Sequence, residues 1–170
     1  VCIIRPFNVF GPGQKDGKCG AVIPIWATSL LKGEDITIYG GGNQSREFIY
    51  IDDLISAYKI IIDKMLNGKE LAGEVINIGT GIGAKVNHLA ELMVNQIKGP
   101  WIEPKNHDFS YPEESPAYNF KQGKIIHGDS RPGEVKRFVS NSDKIKSFGW
   151  KPKVDLEDGL KNYINWRESL

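Results

Sequence analysis

Soft ligands are scarce in this sequence, whose 170 residues include 2 cysteines, 2 methionines and 3 histidines. Cys2 and Cys19 have no metal-ligand spacing, and His88, His107 and His127 are scattered, so no metal site is expected. Long apolar runs are absent as well; none approaches the roughly 20 residues needed to cross a bilayer. No charged-then-apolar leader opens the chain. With so little cysteine, the reading is a protein of a reducing, cytoplasmic setting that neither spans a membrane nor carries a secretion signal. Charge of one sign is missing too. The formal net charge is +1, with 22 basic and 21 acidic residues interspersed, which gives no support to nucleic-acid binding by bulk electrostatics. Nor does the chain start with Met. It opens in Val1-Cys2-Ile3-Ile4-Arg5-Pro6, a short apolar run that reads as a buried strand. Such a strand needs neighbours on both edges, and they are expected upstream of Val1.

What is present has the composition of a globular protein, 40% hydrophobic and 25% charged, at the length of about one domain. Residues 7–20 are rich in Gly and Pro and read as a loop. Helical spacing follows over 21–32, with Val22, Ile25, Trp26, Ser29 and Leu30 on one stripe and Gly33 as the stop. Ile36 to Tyr39 reads as a strand ended by Gly40-Gly41-Gly42, a tight turn without the Lys-Ser/Thr ending of a phosphate loop. Phe48 to Ile51 reads as a second strand, after which Asp52 and Asp53 are placed to cap a helix over 54–66. Residues 74–79 form a compact strand, and Asn87 is placed to cap an amphipathic helix through Leu89, Leu92, Met93 and Ile97. From Gly99 to about Arg131 the chain is dense in Pro, aromatic and charged residues without periodicity. It is longer than most loops of compact domains and reads as an excursion or lid. Helices near 142–148 and 156–166, separated by Gly149-Trp150-Lys151-Pro152, close the chain. Trp26, Trp101, Trp150 and Trp166 read as core or interface anchors. Strands and helices alternating in this way argue for the α/β class.

Several of these segments carry a more specific signal. Arg5-Pro6-Phe7-Asn8-Val9-Phe10-Gly11-Pro12-Gly13-Gln14 resembles the R-x-F-N-V-[YF]-G-P-x-Q stretch of extended short-chain dehydrogenase/reductase proteins that act on nucleotide sugars. Ile38-Tyr39-Gly40-Gly41-Gly42-Asn43-Gln44-Ser45-Arg46-Glu47-Phe48-Ile49-Tyr50-Ile51-Asp52-Asp53 resembles the I-Y-G-D-G-x-Q-x-R-D-F-x-Y-V-x-D of the same family. Ile76-Asn77-Ile78-Gly79, Arg131-Pro132-Gly133-Glu134 and Phe148-Gly149-Trp150-Lys151-Pro152 then appear in the family's order. The resemblance covers the chain except residues about 100–127. It implies the C-terminal part of a Rossmann-like doubly wound sheet plus a smaller α/β substrate-binding domain. Residues 1–20 would end the NAD-binding domain and carry a substrate loop; 21–170 would be mainly the nucleotide-sugar domain, with 74–98 placed to return to the Rossmann sheet.

The family uses NAD to oxidise a sugar carbon to a ketone before hydride returns, a general acid/base and hydride scheme with a Tyr-x-x-x-Lys pair and a Ser or Thr. In this chain no Tyr has a Lys four residues later, and no G-x-x-G-x-x-G follows a strand. No catalytic residue is therefore expected here, and NAD would be bound mainly by a missing N-terminal part. The parent enzyme is expected to be a homodimer. Among reactions, 4-epimerisation of a UDP-sugar through a 4-keto intermediate stands first, on the look of Ala21 to Trp26. A dTDP-sugar 4,6-dehydratase, a related nucleotide-sugar reductase and a non-catalytic nucleotide-sugar binding module are the alternatives.

The resemblance also assigns candidate contacts, each with a plainer reading beside it. Asn8 matches a phosphate donor, against a turn Asn bonding its own backbone. Arg46 and Arg131 match two guanidinium groups that grip a diphosphate, a task for paired N–H donors that Lys does not match; the chain has only five arginines. Glu134 matches the acid that meets the nucleoside ribose, against an ion pair in a turn. Val22, Ile23, Thr37, Ile38 and Tyr39 match positions enclosing the base, though any helix or strand would bury them. Asn77 matches a polar residue near the nucleotide, and it needs a partner in either case. Pro6 stands where some relatives place a Tyr against the nicotinamide, a contact proline's side chain does not make. Helix capping is the preferred reading of Asp52 and Asp53.

Overall fold

The computed structural model describes residues 1–15, 20–68, 71–97 and 123–170. Their order is β1 (Ile3–Pro6), β2 (Val9–Phe10), α1 (Val22–Leu31), β3 (Ile36–Tyr39), β4 (Ser45–Glu47), β5 (Ile49–Tyr50), α2 (Ile51–Leu66), β6 (Val75–Ile78), β7 (Gly83–Lys85), α3 (Val86–Gln96), β8 (Ile125–Gly128), β9 (Arg137–Phe138), α4 (Asp143–Ser147) and α5 (Leu156–Glu168). The class is α/β. Parallel pairing dominates the described strands: β1 with β6, β2 with β5, β3 with β8 and β4 with β9, while β4 and β7 run antiparallel.

Local chemistry sets the boundaries. Pro24 sits in the first turn of α1, where a missing N–H costs nothing. The helix stops at Gly33, whose φ of 70° is the left-handed value that closes helices. At the start of α5, Asp155 accepts a hydrogen bond from the Asp158 N–H at 2.8 Å, an N-cap in the usual sense.

Two buried clusters organise the molecule. In one, α1, α3, α5 and β3 enclose Trp26, Leu30, Ile36, Ile38, Leu89 and Met93, together with Phe10, Phe48 and Tyr50. In the other, α2, α4, β5 and β6 enclose Ile49, Leu54, Ile61, Ile76, Ile78, Ile145 and Trp150. Phe48 and Tyr50 belong to the first and Ile49 to the second, and partly buried Ile51 packs against both.

Several expectations are corrected. Residues 7–20 are not loop throughout, because Val9 and Phe10 pair with Ile49 and Tyr50. The stretch read as a lid ends in a strand, β8, paired along its length with β3; its residues 99–122, with Trp101 and His107, lie outside the described residues, as does Cys19. Asp52 and Asp53 do not cap α2. The helix already starts at Ile51, and the buried Asp53 carboxylate accepts the N–H groups of Lys153 at 2.9 Å and Val154 at 3.0 Å. Asn87 does not cap α3 either; its amide donates to the Gly41 carbonyl at 3.0 Å. Within these 170 residues the opening strand has β6 as its one partner among the described strands and Ile3 is 47% exposed, which leaves the expected upstream neighbours untested.

Candidate nucleotide-sugar site

A cavity of about 560 Å³ with convergent polar groups lies between α1 and β3. The helix contributes Val22, Ile25, Trp26 and Ser29, and the strand contributes Ile36 to Tyr39. Four of the five residues of the stripe at helical spacing thus form the cavity face of α1; the fifth, Leu30, lies in the core, to which Trp26 also belongs. Strand β4 supplies Arg46, and the turn between β8 and β9 supplies Arg131 and Glu134.

Period-two alternation explains what β4 presents. Gln44 and Arg46 lie two residues apart and both line the cavity. Glu47 points the other way and is fully buried. The Arg46 guanidinium is held from several sides. Its Nη1 donates to the Val135 carbonyl at 2.6 Å and to the Ser45 carbonyl at 3.0 Å, and Nη2 lies 3.5 Å from Glu134 Oε1. Both side chains of that ion pair are about a quarter exposed, so the pair contributes at most about 1 kcal/mol. Arg131 is ordered differently, with its guanidinium carbon 3.9 Å from the Tyr39 ring centroid, a cation–π stack that fixes the plane of the fork. Two cationic groups thus sit at the rim of a cavity whose inner wall is aromatic and aliphatic.

The turn between β3 and β4 is tied down around this rim. Gln44 Nε2 donates to the Tyr39 carbonyl at 3.0 Å. His127 Nδ1 lies 2.8 Å from the Gly40 carbonyl; a carbonyl only accepts, so Nδ1 carries the proton. Gly42, at φ 70°, has no room for a side chain: a Cβ would stand 1.7 Å from Asn87 Oδ1.

Of the sequence-derived candidates, the cavity brings together Val22, Thr37, Ile38, Tyr39, Arg46, Arg131 and Glu134. Asn8 is not among its lining residues. It takes a left-handed φ of 39°, tolerated by Asn, and its Nδ2 donates to the Glu47 carbonyl at 2.7 Å. Asn77 is likewise elsewhere, donating to the Asn141 carbonyl at 3.3 Å. Ile23 is 1% exposed in the core instead of lining the cavity. Pro6 ends β1 opposite Ile78. Gln44 and Phe48 line the cavity without having been singled out, although both stand inside the segment from Ile38 to Asp53; a period of two about Arg46 would have found Gln44. Among the described residues no three His, Cys, Asp or Glu side chains cluster as metal ligands, and no helix is long and apolar enough to cross a membrane.

Residues 1–79 match the sequence model of the NAD dependent epimerase/dehydratase family. The chain belongs to that family. Curated relatives extend the match over nearly all of it. A putative UDP-glucose 4-epimerase of Methanocaldococcus jannaschii is 32% identical over 98% of this chain and 45% of its own length. A dTDP-D-glucose 4,6-dehydratase of Bos taurus is 32% identical over 98% of this chain and 40% of its own. The crystal structure of a UDP-glucose 4-epimerase from Thermotoga maritima, solved with UDP-glucose, superposes with a TM-score of 0.76 at 28% identity, over 99% of this chain and 46% of that one. The chain thus spans somewhat less than half the length of these family members.

Proposed function

We propose that these residues form the nucleotide-sugar binding part of an NAD-dependent epimerase or dehydratase, with 4-epimerisation of a UDP-sugar through a 4-keto intermediate as the reaction served. The single observation that carries the reading is the convergence of Arg46 and Arg131 on one cavity walled by α1 and β3. Two guanidinium groups supply paired donors to a diphosphate. Thr37, Ile38, Tyr39 and Val22 offer apolar and backbone contact to a base, and Glu134 offers a carboxylate to ribose hydroxyls. In the ligand-free arrangement Glu134 lies beside Arg46, so an incoming diphosphate takes the place of its negative charge. Asn8 and Asn77, assigned to the nucleotide by the resemblance, act in this reading through the backbone they brace. The same site serves a dTDP-sugar 4,6-dehydratase, the activity borne by a relative of equal identity, since both reactions start by oxidising the sugar.

The residues at hand do not fit NAD. The chain has no glycine-rich strand-to-helix turn, and Pro6 offers no N–H and no side-chain donor. In this reading NAD, the catalytic groups and the dimer contacts come from polypeptide outside these 170 residues, in a cytoplasmic enzyme. Residues 1–20 close the NAD-binding domain, and most of 21–170 forms the substrate domain. Of residues 74–98, read as returning to the first domain, the parallel pairing of β6 with β1 supports only the opening strand, since β7 pairs with β4 and α3 packs in the cluster of α1 and α5.

Calorimetric titration of the purified chain with UDP-glucose tests the site. Arg46→Ala is expected to weaken binding by about 1.5 to 3 kcal/mol, the range for hydrogen bonds to charged groups. Unchanged affinity removes Arg46 from the site. The chain alone is expected to show no NAD-dependent turnover, and turnover would overturn the placement of the chemistry outside it. A purely binding module differs in one respect: joined to its natural flanking sequence, it would still bind without converting the sugar.

A further inference from the structure

Glu47 has no place in the nucleotide site as described, yet it is 0% exposed. A buried carboxylate is costly unless its oxygens are met by donors, and those of Glu47 are. Oε1 accepts from the Gly81 N–H at 2.7 Å, the Ser140 hydroxyl at 3.0 Å and the Thr80 hydroxyl at 3.3 Å, and Oε2 accepts the Ser140 N–H. Ser140 Oγ lies 2.8 Å from Ser142 Oγ, extending the network. The donors come from two places: Thr80 and Gly81 precede β7, and Ser140 follows β9. Those are the two strands that flank β4, pairing Arg46 with Ala84 on one side and with Phe138 on the other. On the main chain, Asn8 holds the Glu47 carbonyl from a third element. Gly79 leaves the space the carboxylate occupies, since a Cβ there would stand 2.2 Å from Oε1.

We infer that Glu47 is a positioning residue for the diphosphate grip: its buried carboxylate ties β7 and β9 to β4 and so fixes Arg46 against the turn that carries Arg131 and Glu134. The inference rests on the reading of the cavity as a nucleoside-diphosphate site, and it adds the device that preorganises it. Gln is nearly isosteric but places an NH₂ against one of the two backbone N–H donors, so Glu47→Gln breaks one side of the tie while filling the same space.

The test is a double-mutant cycle read by UDP titration. Glu47→Gln is expected to weaken UDP binding at least fivefold in the native background and to have no further effect in Arg46→Ala, because its action passes through Arg46. Equal loss in both backgrounds, or no loss in the native one, overturns the proposal, since general loosening of the fold would act whether or not Arg46 is present. Should Glu47→Gln fail to fold by circular dichroism, Ser140→Ala, which removes a hydroxyl donor and keeps the backbone N–H, runs the same cycle with a smaller expected loss. Side-chain NMR without nucleotide separates this inference from the site reading. Glu47→Gln should shift the Arg46 guanidinium resonances and speed their proton exchange; if they stay as in the native chain, Glu47 does not position Arg46. A native chain that fails to bind UDP removes the nucleotide reading while leaving that NMR result to decide the role of Glu47.

Discussion

At the scale of single residues, the turn from Gly40 to Gly42 shows how a steric requirement and a site requirement coincide. Gly42 combines a φ of 70° with a neighbour, Asn87 Oδ1, that occupies the place of its absent Cβ. Two separable costs therefore oppose any side chain there: left-handed backbone, worth about 1–2 kcal/mol, and the collision. Gly42→Ala is expected to lower stability by about 2 to 5 kcal/mol, the sum of a backbone cost of that size and the overpacking of a filled site. In an Asn87→Ala background the collision is gone, so the same substitution should cost only the backbone part. Urea unfolding of the four proteins measures both increments, and equal costs in the two backgrounds would show that Asn87 does not press on the turn. The place of Arg46 on the cavity was legible at this scale, because it stands inside the motif from Ile38 to Asp53. Glu47 was not. Its partners at residues 80, 81 and 140 are 33 or more positions away, and nothing in a string of residues says that a carboxylate next to an exposed-looking arginine is fully buried.

At the scale of elements, the assignments that succeeded rest on period and punctuation. Residues 36–39 form the expected strand, α1 ends at Gly33 as read, and α5 begins at Leu156 as read. The failures share a cause in long-range pairing. Strand β8 has no pattern of its own apart from its two isoleucines, and it exists because each residue from Ile125 to Gly128 pairs with β3, 89 positions earlier. The two- and three-residue strands β2, β4, β7 and β9 are too short for periodicity to register. Asp53 is the most instructive case. Its type suits a helix cap, but its carboxylate serves the main chain of Lys153 and Val154, and the Trp150 indole donates to its carbonyl at 3.1 Å and to Ser56 Oγ at 2.9 Å. The start of α2 is thereby clipped to the segment that leads into α5. Asp53→Asn keeps the volume and loses one of the two acceptors, so a loss of about 1 to 3 kcal/mol is expected, the cost of leaving a buried donor unmet. Hydrogen exchange should localise the effect to the amides of Lys153 and Val154. If those amides exchange as slowly as in the native chain, the clip is not what holds the two elements together.

At the scale of the whole molecule, the two buried clusters meet at Ile51, which packs against both, and beside it Tyr50 of the first cluster is packed edge-on to Phe10 at 5.6 Å between ring centroids. Burial pushes the Tyr50 phenol above its ordinary value of 10.0, and the neighbouring Asp52 carboxylate adds to the effect. Both causes disfavour the phenolate, so the native state holds this proton more tightly than the unfolded chain. The sign of the linkage follows. The contribution of Tyr50 is fully present below the unfolded value of about 10. It is lost as pH rises through that value toward the raised native one, because the unfolded chain ionises first. Urea unfolding followed from about pH 8 to pH 11 should therefore show an alkaline decline, and Tyr50→Phe, which cannot ionise, should flatten it even if it shifts the curve as a whole. An undiminished slope in Tyr50→Phe would assign the alkaline loss to other groups. The site should respond with the fold, since Phe48 lies in the same cluster as Tyr50 and also lines the cavity. If loosening of this junction precedes global unfolding, UDP affinity should fall at a lower pH than the unfolding midpoint in the native chain, and the gap between the two should narrow in Tyr50→Phe.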